Sequence, residues 1–96
     1  MHNDETNLAE QVASTLKRAS DASLLTDAMV SAATTKDALK TAIQGVATHN
    51  ADTNFKIQLA HAVDYLTDAD ISGSTTVAAL IATTGIASPS SSTILE

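Results

Sequence analysis

The sequence predicts an all-α protein, a small bundle of four to five short antiparallel helices over residues 1–85 with a Ser-rich tail over residues 86–96. Three observations carry this. Eighteen Ala stand against three Gly and one Pro in 96 residues, a balance that favours helix. Apolar residues recur every three or four positions along most of the chain. The 24 Ser and Thr gather between those stripes, where their side-chain oxygens can satisfy the free N–H groups of a helix start.

The first stripe is Leu8, Val12, Leu16 and Ala19, flanked by Ala9 and Ala13, and predicts a helix over residues 5–19 with Asn3, Asp4 or Thr6 as its cap. Ser20 and Asp21 read as the cap of a second helix carrying Leu25, Ala28, Met29 and Ala32. Thr34 or Thr35 caps a third with Leu39, Ala42, Ile43 and Val46. No strong breaker separates the first two, and Leu16, Ser20 and Leu24 would also fit one continuous rod. Cap and turn residues from Thr48 to Asn54 precede a fourth stripe, Phe55, Leu59, Ala62, Val63 and Leu66. Asp68 to Ser74 reads as the main loop. A fifth helix follows, capped by Thr75 or Thr76, burying Val77, Leu80 and Ile81 and closed by Gly85 in a left-handed conformation. The pattern Leu-x-x-Ala-apolar occurs at Leu25, Leu39 and Leu59, but its unequal spacings mark a habit of alanine-rich helices, so no repeat is assigned.

Leu, Ile, Val and Phe supply 21 of the 96 residues, just above the level of roughly 20% below which chains stay disordered. With so few bulky groups, and alanines that let helices approach closely, the helix faces suit association as well as internal packing. No Cys is present, which excludes disulfides, thiolate metal sites and thiol nucleophiles. The net charge of −6, with Lys56 the one Lys or Arg beyond position 40, disfavours nucleic-acid and anionic-membrane partners. No apolar run approaches the roughly 20 residues that cross a bilayer. The acidic opening Met1-His2-Asn3-Asp4-Glu5 is unlike a secretory leader and points to the cytoplasm, or to a virion if the chain is a phage component.

Helix four carries one anomaly. Ile57 points away from the Phe55, Leu59, Ala62, Val63 and Leu66 stripe, with Ala60 and Tyr65 flanking it, so a second contact surface is expected on Ile57, Ala60 and Tyr65.

Asp68-Ala69-Asp70-Ile71-Ser72-Gly73 resembles the opening of an EF-hand calcium loop. The resemblance covers six residues and implies calcium ligands at Asp68, Asp70 and Ser72, with Gly73 permitting the sharp turn. Ala79 stands where that family places its bidentate Glu, which lowers the implied affinity. Residues 76–95 are similar to the helix-turn-helix of transcription regulators in Val77, Leu80, Gly85, Ile86 and the Ser-rich segment after it. Ile81 and Ser91 depart from that pattern. Residues 86–96 contain no Lys or Arg, so the implication is a regulator working through protein contacts.

His61, Asp64, Tyr65 and Asp68 fall at helical spacing on the solvent side of helix four, a convex surface without the convergent, water-poor cleft catalysis needs. The chain has no nucleophile elbow, phosphate-binding glycine loop or H-E-x-x-H. The sequence therefore points to a non-enzymatic structural, assembly or adaptor protein. It would act through helix–helix contacts with itself or a larger assembly, for example as a virion or filament accessory component. No cofactor is expected apart from the calcium implied at Asp68.

Overall fold

The computed structural model describes residues 4–47 and 50–86, with side chains placed for residues 8–47 and 53–86. The described residues form helices and turns with no strand: α1 (Asp4–Asp21), α2 (Asp27–Ala32), α3 (Lys36–Gln44), α4 (Asn50–Tyr65), α5 (Asp68–Ser72) and α6 (Val77–Ala82). The all-α class stands, with one helix more than the stripes predicted. None of these helices is long and apolar enough to cross a membrane. Residues 87–96, which hold most of the tail and the Ser-rich part of the helix-turn-helix resemblance, lie outside the described residues, as do Asn3, His2 and His49. Ile86 is described, and packs partly buried against the core.

The extra helix is α5, in place of the expected loop. Thr67 accepts from the backbone N–H of Asp70 at 3.0 Å, and Asp70 Oδ2 accepts from the N–H of Thr67 at 3.0 Å, a reciprocal capping box. Ile71, fully buried, anchors this single turn to the core. A five-residue helix with one buried side chain leaves no periodicity to read, and Asp, Ser and Gly suit caps as well as loops.

The break between α1 and α2 also differs from expectation. Ser20 and Asp21 belong to α1, and the cap of α2 is Thr26. Ser23 turns the chain with φ of 62°, while Leu24 N–H donates to the Ala19 carbonyl and Ser23 N–H to that of Ser20. This is a Schellman closure with Ser where Gly is usual. Leu24 and Leu25, both buried, then hold the chain against the core, so one continuous rod is excluded.

Four helices start in the same way. Thr26, Thr35, Thr67 and Thr76 are all extended, and each side chain accepts from the backbone N–H three residues on. Of the alternatives the sequence offers, Thr34 or Thr35 and Thr75 or Thr76, the second of each pair is the cap, and Gly85 takes the left-handed conformation expected of it, φ 82°. The core is aliphatic and alanine-rich, built from Leu16, Leu39, Leu59, Leu80, Ile43 and Ile71 among others. Leu8, expected to be buried, is 44% exposed. Val30 is the buried residue of α2, whereas Ala28 and Ala32, expected on its apolar stripe, are exposed.

A repeat is present after all, carried by the caps instead of the apolar stripes. Leu25-Thr26-Asp27-Ala28 recurs as Leu66-Thr67-Asp68-Ala69, Ser31 as Ser72, Thr34-Thr35 as Thr75-Thr76 and Ala38-Leu39 as Ala79-Leu80, all at one spacing. The structure follows the same exchange, α1–α3 for α4–α6. α1 packs on α6 as α4 packs on α3, α2 meets α6 as α5 meets α3, and α1 crosses α4 between them. Val77 N–H, first in α6, donates to Asp27 Oδ1 at 2.8 Å. Lys36 N–H, first in α3, donates to Asp68 Oδ1 at 2.8 Å. Each half thus caps a helix of the other with the equivalent aspartate, the reciprocity expected of a local two-fold relation.

Candidate functional site

α3 and α4 lie side by side, joined at three points. Lys40 Nζ meets Asp64 Oδ1 at 2.7 Å, and Lys36 Nζ donates to the Asp64 carbonyl at 3.3 Å. At the other end Lys56 Nζ donates to the carbonyls of Gln44 at 3.0 Å and Val46 at 2.8 Å, which satisfies acceptors left open where α3 ends. Between these ties lies a groove of about 290 Å³, whose lining includes Ile43, Ile57, Ala60 and His61. Ile43 is buried, whereas Ile57 is 53% exposed.

Of the predicted contact residues, Ile57 and Ala60 meet in this groove. Tyr65, 39% exposed, lies two turns further along α4 and does not line it. The groove has an apolar centre between two lysines that are already engaged. Lys40 and Asp64 perturb each other: their hydrogen bond, reinforced by opposite charge, holds the Asp64 carboxyl below the ordinary aspartate range and Lys40 above the ordinary lysine range.

A second groove, about 320 Å³, separates α2 and α3 and is lined by Ala28, Met29, Ala32, Ala33, Ala38 and Ala42. Under the repeat, Met29, Ala33 and Ala42 become Asp70, Ser74 and Thr83. The two halves share their caps, but this apolar lining belongs to the first half alone.

The residues of the calcium resemblance serve the backbone. Asp68 Oδ1 accepts from Lys36, Asp70 Oδ2 accepts from Thr67, and Ser72 Oγ donates to the Ala69 carbonyl at 3.3 Å. They stand on the turn of α5 and not on an open loop. Among the described residues no three His, Asp or Glu side chains gather as a metal would require. His61, Asp64 and Tyr65 lie exposed along α4, and Asp64 turns to Lys40.

The sequence reading missed Asp27 as a partner of α6. Its signal was the recurring Leu-Thr-Asp-Ala, which places Asp27 and Asp68 in equivalent positions. Comparison with known proteins finds no matching family model, no similar curated protein and no similar solved structure.

Proposed function

We propose that this chain is a non-enzymatic assembly or adaptor protein that acts through helix–helix contacts, in a homo-oligomer or as part of a larger assembly such as a filament or virion. The observation that carries this reading is the exposed Ile57 over the α3–α4 groove. Branched aliphatic side chains are more often buried, and this one adjoins an apolar depression sized for a few side chains of an approaching helix. Lys40 is paired with Asp64, and Lys56, which keeps its charge, spends its donors on the carbonyls of Gln44 and Val46, so the apolar centre between them is the part of the groove open to an apolar segment.

Light scattering after size exclusion, run on the wild type and on Ile57→Asp across a range of concentrations, tests the reading. The wild type is expected to exceed the mass of one chain and to dissociate on dilution. Ile57→Asp is expected to run as one chain with unchanged helical content. Equal masses for the two would remove this groove as the contact.

A further inference from the structure

We infer that the two halves of this protein are interchangeable between molecules, so that a second copy of the chain can supply α4–α6 to the α1–α3 of the first. The inference goes beyond the groove reading, because it requires no exposed face. It follows from where the contacts run. Every substantially packed helix pair joins one half to the other, except α2 with α3. The polar contacts are distributed in the same way. Among the described residues, all side-chain hydrogen bonds between residues more than four apart cross between the halves: Lys36 to Asp68, Lys36 and Lys40 to Asp64, Lys56 to Gln44 and Val46, and Val77 to Asp27. Arg18 adds a cation–π contact, its guanidinium 5.2 Å from the ring centre of Phe55. Judged by its helix pairs, a three-helix half therefore packs mainly on the other half.

Such a half recognises a surface and not a covalent neighbour. Its partner surface is identical in every copy of the chain, so exchange creates no contact that the single molecule lacks, which is the condition for domain swapping. The covalent link raises the local concentration of a chain's own second half to about the millimolar range, so closure within one chain prevails in dilute solution. Exchange takes over where chains are crowded as they fold, or where a chain's own partner half is defective. The reciprocal caps fix the register, since Asp27 and Asp68 each need the helix start of the opposite half.

The test uses two full-length variants, both carrying Ile57→Asp so that the groove does not join them. One also carries Leu16→Asp in α1 and the other Leu59→Asp in α4, each a fully buried position. Alone, each is expected to lack a cooperative thermal transition. Mixed in equal amounts in denaturant and refolded together, they are expected to recover about half the wild-type helical signal in one cooperative transition, at the mass of two chains, because each contributes one sound half. A mixture that behaves as the sum of its components overturns the inference. Should either variant still melt cooperatively alone, Val12→Asp or Val63→Asp, also at fully buried positions, is added to the same half and the same outcomes apply. The groove reading is judged separately, by whether Ile57→Asp alone changes the mass.

Discussion

Asp27 and Val77 stand 50 residues apart in the chain and 2.8 Å apart in the fold, carboxylate oxygen to backbone nitrogen. The bond satisfies the first N–H of α6, which no intrahelical carbonyl can reach, and it is partly buried. Its counterpart from Asp68 to Lys36 has the same length but is exposed. Water can replace the exposed acceptor more readily than the buried one. Asp27→Ala is expected to cost about 2 kcal/mol and Asp68→Ala about 1 kcal/mol in denaturant unfolding. Asparagine keeps an acceptor oxygen and should recover part of each loss. Equal costs at the two sites would show that burial does not set the difference.

The same carboxylates bear on calcium. Asp68 and Asp70 each have an oxygen committed to a backbone N–H. Millimolar calcium is expected to leave the wild-type melting temperature unchanged. A rise that Asp68→Asn abolishes would assign an ion site to this turn.

Ser23 holds a left-handed conformation that costs a residue with a Cβ about 1 kcal/mol, whereas Gly85 holds its own without that penalty. Ser23→Gly is expected to stabilise the protein by about 0.5 kcal/mol, the relief being partly offset by the greater freedom of glycine in the unfolded chain. Gly85→Ala should cost about 1 kcal/mol from backbone strain, since a Cβ there would touch nothing within 4 Å. Both are read from the midpoint of urea unfolding.

Ser14 and Thr15 are buried on α1, and among the described residues neither hydroxyl has a hydrogen-bond partner. Replacing an unsatisfied buried hydroxyl with a methyl of similar shape removes a desolvation penalty. Thr15→Val is expected to raise stability by about 1 kcal/mol by the same measurement. A loss of that size would mean that the hydroxyl has a partner in solution.

The Lys40–Asp64 pair sets a pH window. Because the folded pKa of Asp64 is lowered, its contribution is complete above the unfolded aspartate pKa of about 3.9 and is lost as pH falls through the lower folded value. Because that of Lys40 is raised, its contribution is complete below about 10.4 and is lost as pH rises through the higher folded value. The stability difference between wild type and Asp64→Asn should be constant from about pH 5 to 9, narrow on both sides, and shrink with salt because the pair is exposed. A difference independent of pH would assign the effect of the variant to something other than this pair.

The sequence by itself determined the helical class, the two threonine pairs Thr34-Thr35 and Thr75-Thr76 that hold the caps of α3 and α6, the left-handed Gly85, the buried Val77, Leu80 and Ile81, and the outward Ile57. Each is settled within about one turn of its own residue, by capping, backbone sterics or the 3.6-residue period. The recurrence of Leu-Thr-Asp-Ala was also legible, but its meaning was not. Only the tertiary structure decided that Asp27 and Asp68 cap helices of the opposite half, that Asp68–Ser72 is helical, and that Ile57 and Ala60 share a groove while Tyr65 does not. Those outcomes depend on which apolar surfaces meet across 30 to 50 residues, and local periodicity records which face of a helix is buried without naming what buries it.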